Sequence, residues 1–154
     1  MVYEGEEVRV LVCGSRDWTD YEMISAALTS CALSGSPITV VHGAARGADS
    51  LAGRWARNYG VTEEAHPADW TGRGRAAGPI RNKLMLDLGA DYVLAFKDDF
   101  DMTMRRGGTE NMVKIALAAG VITTLRGHGG LIAHWGNRGQ LELGMVKLGE
   151  VGNA

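Results

Sequence analysis

Residues 40–56, VVHGAARGADSLAGRWA, contain the pattern that decides the fold class. A short apolar run ends at His42, a glycine-rich turn follows, and apolar residues then recur at helical spacing through Leu51 and Trp55. A strand that passes through such a turn into a helix is the first part of a β-α-β unit. The glycines permit either a plain tight turn or the close approach of a ligand to the backbone.

The same alternation continues on both sides of this stretch. Short apolar runs rich in β-branched residues predict strands, and apolar residues at 3.6-residue spacing predict helices. Glycine- and arginine-rich residues 69–78 and polar residues 97–108 are predicted as loops. The predicted strands are 8–13, 38–42, 61–66, 91–96 and 121–125, and the predicted helices are 20–33, 47–59, 80–88 and 109–119.

This order predicts the α/β class, a Rossmann-like three-layer sandwich with a mainly parallel five-stranded sheet in the order 3-2-1-4-5. We expect one such domain over residues 1–125 and a glycine-rich C-terminal extension over 126–154. Within the extension, residues 131–135 and 140–146 could form a hairpin. That hairpin could extend the sheet, cover an edge or pair with another subunit.

Composition narrows the function classes. The 16 Lys and Arg residues nearly balance the 18 Asp and Glu residues, which argues against a nucleic-acid or acidic-membrane surface. Cys13 and Cys31 lack the spacing of a zinc site, and no apolar run is long enough to span a membrane. The acidic N-terminus lacks the apolar core of a signal peptide. We therefore expect a cytoplasmic protein with no metal, cofactor or membrane partner.

Candidate ligand-binding residues gather at the predicted crevice beyond the carboxyl ends of strands one and four, where open α/β sheets bind ligands. The first segment follows strand one, and the second runs from strand two into the next helix. Arg16 offers a cationic group, and Asp49 either stabilises the helix start or holds a ribose hydroxyl. His42 fits a hydrogen-bonded histidine at a strand end better than a catalyst. The candidates from these segments are Gly14, Ser15, Arg16, Gly43, Gly47 and Asp49.

Two further segments are predicted to reach the same crevice. Arg81 lies at a predicted helix start, where a cation opposes the helix dipole, so we expect it to meet an anion or a carboxylate. The glycines before Thr109, which is a plausible N-cap, make an anion site at the next helix start. Trp70 could stack on a base, although packing at the core edge is the simpler interpretation. The candidates from these segments are Arg81, Asn82, Gly107, Gly108 and Thr109.

Five segments in this order resemble the YspA-like members of the SLOG superfamily: GSRDW, VVHGAARGADSLAGRWA, DWTGRGRAAGPIRNKLM, DYVLAF and GGTENMVKIALAAGV. The superfamily joins the DNA-processing protein DprA (Smf) and the cytokinin-activating LOG enzymes. The resemblance covers about residues 8–124. It implies that glycine-rich loops hold a nucleotide or an NAD- or ADP-ribose-derived ligand, in a sensor, carrier or sequestering protein. Separately, an α/β domain with a spare hairpin could form a homo-oligomer.

The resemblance also implies an alternative, because LOG enzymes release the base from nucleoside monophosphates. Arg81 falls on the LOG arginine and Gly108-Thr109 on the Gly-Thr of the PGGxGTxxE signature, but Met112 occupies the position of the catalytic glutamate. Glycoside cleavage needs a carboxylate near the anomeric carbon. If the protein is such an N-glycosidase, Arg81 and Glu110 are the catalytic candidates.

Overall fold

A computed structural model describes residues 6–33 and 35–144. Strands and helices alternate through most of these residues, but two helices lie between the third and fourth strands and the last three strands have no α-helix between them. Single 3₁₀ turns occur at Gly74–Ala76 and Asn137–Gly139. The elements are β1 (Val8–Gly14), α1 (Tyr21–Ala32), β2 (Ile38–His42), α2 (Ala48–Asn58), β3 (Thr62–Ala65), α3 (Trp70–Arg73), α4 (Ala77–Asp87), β4 (Tyr92–Phe96), α5 (Gly108–Ala118), β5 (Ile122–Gly127), β6 (Gly130–Trp135) and β7 (Leu141–Gly144).

The strands of the described residues form one sheet in the order β3-β2-β1-β4-β5-β6-β7. β1 lies at its centre and pairs in parallel with both β2 and β4, while β3 and β5 add in parallel outside them. The predicted order 3-2-1-4-5 is therefore confirmed. The predicted hairpin forms as β6 and β7, which extend the sheet by antiparallel pairing. Its predicted last residues, 145–146, lie outside the described residues.

Helices cover the two faces of this sheet and produce the three-layer Rossmann-like architecture. Val8, Val10 and Val12 of β1 join a core with residues of α1 and α2, whereas Leu11 and Cys13 join a second core with residues of α4 and α5. Because β1 is buried on both faces, its sequence is a nearly continuous apolar run rather than an alternating one.

Residues 69–78 are not the loop that the sequence predicted. They contain α3, a 3₁₀ turn and the beginning of α4. The Asp69 carboxylate caps α3 by accepting the Gly72 amide hydrogen at 2.9 Å. α4 begins at Ala77, and Pro79 occupies its third position, where a missing N–H costs nothing because first-turn amides have no partner within the helix. The glycine-rich composition is typical of a loop, so the sequence did not predict these short helices.

The predicted capping role of Thr109 is also wrong. α5 begins at Gly108, so the N-cap residue is Gly107, which has no side chain to bond the first-turn amides. Thr109 is already inside the helix and is buried. No side chain within residues 6–33 and 35–144 therefore caps the first turn of α5.

Cys13 and Cys31 are both free cysteines. None of the helices within residues 6–33 and 35–144 has the length and apolar character needed to cross a membrane.

Candidate functional site

A cleft of about 1090 Å³ opens beyond the carboxyl ends of β1 and β4. These strands are neighbours in the sheet, and the helices that follow them, α1 and α5, pack on opposite faces, which leaves a crevice between the two connections. Its lining comes from four parts of the chain: the ends of β1 and β4 (Val12, Cys13, Gly14, Ser15, Arg16, Asp17, Lys97, Asp99), the entry to α2 (Ala45, Asp49), the α3–α4 segment (Trp70, Arg75, Ala76, Gly78, Pro79, Arg81, Asn82, Met85) and the entry to α5 (Arg105, Arg106, Gly107, Gly108, Thr109, Asn111).

The structure brings most of the sequence-predicted site residues together. Nine of the eleven line the cleft, whereas Gly43 lines an adjoining pocket of about 360 Å³ and Gly47 lines neither. The nine are Gly14, Ser15, Arg16, Asp49, Arg81, Asn82, Gly107, Gly108 and Thr109.

Close packing accounts for the glycine that ends β1. A Cβ at Gly14 would overlap the Phe96 carbonyl oxygen of β4 and would lie 2.8 Å from the Cβ of Ala48. The turn beyond it is fixed locally, since the Ser15 amide donates to the Phe96 carbonyl at 2.8 Å and the Ser15 Oγ accepts the Asp17 amide hydrogen at 3.0 Å. This turn places the exposed, cationic side chain of Arg16 in the lining of the cleft.

Asp49 organises the turn between β2 and α2. Its buried carboxylate accepts amide hydrogens from Gly43 at 3.0 Å and Ala45 at 3.3 Å. Burial raises the pKa of the Asp49 carboxyl, and these amide bonds oppose that rise. At Gly47, φ is 80° and a Cβ would overlap the backbone of Ser15 and Arg16. Both residues therefore shape the site by fixing one turn against another.

His42 contributes no free group to the cleft. Its Nδ1 accepts the Ala44 amide hydrogen at 3.0 Å, which leaves Nε2–H to bond the Glu63 carboxylate at 2.6 Å. The sequence interpretation of a hydrogen-bonded histidine at a strand end is confirmed. Among the described residues, no group of three or more His, Cys, Asp or Glu side chains could hold a metal ion.

Arg81 and Asn82 connect three separate segments. Arg81 donates through Nη1 to the carbonyl oxygens of Gly43 and, at 3.2 Å, His66, so it joins the carboxyl ends of β2 and β3. Asn82 accepts from Arg81 Nε at 2.9 Å and donates to the Gly108 carbonyl oxygen at 3.1 Å. The expectation for Arg81 rested on a helix beginning at residue 80, but α4 begins at Ala77 and the hydrogen-bond partners of Arg81 are neutral oxygens.

Part of the Arg81 guanidinium remains available to a ligand. Burial lowers its pKa, and the nearby Asp49 carboxylate opposes this change. Within the described part of the chain, Nη2 donates to no protein acceptor. Arg81 lines both the cleft and the adjoining pocket, so this nitrogen is a candidate donor to an anionic ligand.

The start of α5 offers unpaired amides to the same cleft. Among the described residues, the N–H groups of Gly108 and Thr109, which both line the cleft, have no protein acceptor, and the Asn111 amide bonds the Gly107 carbonyl at 2.8 Å. A Cβ at Gly108 would meet nothing within 4 Å, so space lies open beside it. Such a helix start attracts anions through its amides and its dipole.

The cleft is locally basic although the whole chain has a formal net charge of −2. Six basic side chains line it against three acidic ones. The basic residues are Arg16, Arg75, Arg81, Lys97, Arg105 and Arg106, and the acidic residues are Asp17, Asp49 and Asp99. Clustering of this kind favours an anionic ligand.

Glu110 does not line the cleft. It is 0% exposed, and its carboxylate bonds the Lys97 ammonium at 2.8 and 3.0 Å and the Asp101 amide at 3.2 Å. Met112, at the position of the LOG glutamate, is also fully buried and packs in the core. Of the three carboxylates that do line the cleft, Asp49 is held by amides, while Asp17 and Asp99 are exposed.

Trp70 lies in the cleft, whereas the sequence interpretation preferred packing at the core edge to stacking on a base. It is 50% exposed and lines both the cleft and the adjoining pocket, whereas the other three tryptophans are buried. The Arg16 guanidinium carbon lies 5.6 Å from the Trp70 ring centroid. A tryptophan in a segment that was predicted as a loop could have indicated a ligand-binding side chain. Its exposed position depends on α3, which the sequence did not predict.

The comparisons with known proteins agree with this architecture. The model of the YspA, cpYpsA-related SLOG family matches residues 8–72, the part of the chain from β1 to α3. Gene 61 protein of Mycobacterium phage D29 is 42% identical over 120 residues, which cover 73% of this chain and 91% of the phage protein. No solved structure matches the chain.

Proposed function

We propose, from the premise that this chain belongs to the YspA, cpYpsA-related SLOG family, that the cleft binds a nucleotide-type ligand. The observation that carries the proposal is the uncapped start of α5, whose unpaired amides open into the same cleft as Arg16 and Arg81. A phosphate at a helix start accepts the amide hydrogens and is stabilised by the helix dipole. Guanidinium groups then add charge-assisted hydrogen bonds.

The dimensions of the site favour a ligand larger than a mononucleotide. Ligand pockets commonly have volumes of about 300–1,000 Å³. The cleft of about 1090 Å³ is continuous in its lining with the pocket of about 360 Å³, since Arg16, Ala45, Trp70 and Arg81 belong to both. We propose an NAD- or ADP-ribose-derived ligand whose diphosphate lies near α5 and whose base stacks on the exposed face of Trp70.

A binding role fits the side chains better than glycoside hydrolysis. Hydrolysis at an anomeric carbon needs a carboxylate at the reaction centre. Glu110 is paired with Lys97 inside the protein, and Asp49 is held by two amides. Asp17 and Asp99 also line the cleft, but both are exposed to solvent rather than held at a fixed position inside it. We therefore propose a sensor, carrier or sequestering protein. Incubation with AMP or NAD, followed by liquid chromatography, tests this choice, and sustained base release that is lost in D99N would contradict it.

The binding proposal is tested by calorimetry with ADP-ribose, NAD and AMP on two matched variants. Arg16 and Arg54 are both exposed arginines that lie over an aromatic ring, Trp70 and Tyr21 respectively, but Arg54 lies outside the cleft. Arg16→Ala removes a charged contact worth about 1.5–3 kcal/mol, so the Kd should rise by roughly 10- to 150-fold. Arg54→Ala should leave the Kd unchanged, and an equal loss in both variants would contradict the proposal.

Trp70 provides a second readout of the same event. The other three tryptophans are buried, so stacking of a base should change mainly the fluorescence of Trp70 and its quenching by iodide. The change should persist in Trp18→Phe and disappear in Trp70→Phe.

We also propose a cytoplasmic location, since a reducing compartment keeps thiols such as Cys13 and Cys31 unpaired.

A further inference from the structure

The pocket that adjoins the cleft is lined by positive charge and by no carboxylate. Its volume is about 360 Å³, and it lies beyond the carboxyl ends of β2 and β3. Three of its nine lining residues are arginines, Arg16, Arg46 and Arg81, and the other six are uncharged. Cations gathered in a small concave site favour an anionic group. The start of α5 lines only the larger cleft, so this pocket is a second place for negative charge.

The backbone holds the Arg81 guanidinium at the side of this pocket. Nη1 donates to the carbonyl oxygens of Gly43 and His66, and a Cβ at Gly43 would overlap the guanidinium. Burial lowers the pKa of Arg81, the Asp49 carboxylate opposes this change, and the charge of Arg16 lowers the pKa further. Arg16 and Arg81 therefore repel each other, and an anion that lies between them is stabilised by both.

Arg46 lines the smaller pocket but not the larger cleft. It extends from the turn after β2, where the His42 Nδ1 fixes the backbone by accepting the Ala44 amide hydrogen. Arg46 pairs with Asp17 at 3.6 Å, and the two side chains are 76% and 88% exposed. An ion pair with this exposure contributes little stability, so it does not prevent Arg46 from binding a ligand.

We propose, as an inference that rests on the proposed function, that the smaller pocket binds a second phosphate group, which the ribose of the nucleotide carries at its 2′ or 3′ position. Trp70 lines both cavities, so a base stacked on its ring lies at their junction. When the 5′-phosphate lies at the start of α5, the 2′ and 3′ positions are the ones left to reach the smaller pocket. Its volume is near the lower end of the range for ligand pockets, about 300–1,000 Å³, and suits a phosphomonoester rather than a second nucleoside.

Calorimetry with four adenine nucleotides tests the proposal: AMP, ADP, adenosine 2′,5′-bisphosphate and adenosine 3′,5′-bisphosphate. ADP is an isomer of both bisphosphates, so it has the same number of phosphate groups but carries both at the 5′ position. At least one bisphosphate should bind the wild type at least about tenfold more tightly than AMP, because its second phosphate gains charge-assisted hydrogen bonds. The bisphosphate with the larger gain identifies the position of that phosphate on the ribose.

Arg46→Ala tests whether the smaller pocket is responsible for this gain. It should raise the Kd of the preferred bisphosphate at least about fivefold and the Kd of ADP by less than about twofold. Arg106→Ala is the matched control, since the exposed Arg106 lines the cleft but not the pocket, and it should weaken ADP and the bisphosphate alike. The double variant R46A/D17N removes the carboxylate that Arg46→Ala leaves unpaired, and it should bind as Arg46→Ala does. Circular dichroism of each variant verifies the fold.

Failure of this inference and failure of the proposed function give different results. If neither bisphosphate binds more tightly than AMP, or if Arg46→Ala weakens ADP as much as the bisphosphate, the second phosphate site is overturned while nucleotide binding in the cleft is not. If none of the four nucleotides binds, the proposed function is contradicted, and this inference fails with it.

Discussion

Replacement of Lys97 by methionine should strongly destabilise the protein. Methionine keeps most of the length and apolar packing of the lysine stem but removes the ammonium group that bonds both carboxylate oxygens of Glu110. Glu110 is 0% exposed, so water cannot replace the lost partner. The Asp101 amide, at 3.2 Å, is then the remaining hydrogen-bond donor that the described residues offer to this carboxylate.

The magnitude follows from the burial of the charge. Removal of one partner of a buried ion pair costs about 3–5 kcal/mol, because the other charge is left uncompensated. Domains of this size have a total unfolding free energy of about 5–15 kcal/mol, so the loss should be obvious. The double variant K97M/E110Q removes the stranded charge while keeping an acceptor for the Asp101 amide, and it should recover most of the lost stability.

Urea denaturation at pH 7, followed by tryptophan fluorescence, measures these differences. Lys114→Met is the matched control, since the half-buried Lys114 donates a single, solvent-exposed hydrogen bond to the Met104 carbonyl, and its loss should cost less than about 1 kcal/mol. A Lys97→Met variant that loses less than about 1 kcal/mol, or a double variant no more stable than it, would refute this reasoning about the Lys97–Glu110 pair.

Two further stability predictions concern the sheet. The Arg9 guanidinium, with help from His66, lowers the pKa of Glu64 from 4.5 to about 2. The stabilisation of the folded protein by this lowered pKa is fully present above pH 4.5 and is lost as the pH falls through about 2. Glu64→Gln should therefore cost about 1–2 kcal/mol of unfolding free energy at pH 7, which allows for the partial solvent exposure of Glu64, and less than half of that at pH 3. Urea titrations at both pH values test this, and a constant difference would contradict it. Gly14→Ala should cost about 1–3 kcal/mol through overlap with the Phe96 carbonyl, whereas Gly129→Ala, with open space at its Cβ, should be neutral in the same assay.

The main features of the fold could be predicted because they depend on local patterns. Apolar runs such as 8–13 and helical periodicity such as that around Leu51 and Trp55 are readable one segment at a time. Strand order then follows from the handedness of crossovers. The short helix α3 was missed, because its identity depends on the Asp69 cap rather than on an apolar stripe.

The site could be predicted as a set of segments but not as a set of contacts. Parallel strands bring their carboxyl ends to one edge of the sheet, so Arg16 and Gly108 were expected to share a crevice. The two carbonyl partners of Arg81 are separated from it by 15 and 38 residues along the chain, and no local pattern specifies such bonds. The buried pairing of Glu110 with Lys97 was missed for the same reason.

The central claim is that the start of α5 binds a phosphate group. The most direct test is calorimetry with AMP and with adenosine, which lacks the phosphate, on the wild type and on the variants Gly108→Val and Gly129→Val. Both glycines have open space at the Cβ and neither has a positive φ, but Gly108 alone lines the cleft. We predict that the wild type binds AMP at least about tenfold more tightly than adenosine, that Gly108→Val abolishes this preference and that Gly129→Val retains it. Equal affinity for the two ligands, or an unchanged preference in Gly108→Val, would contradict the account.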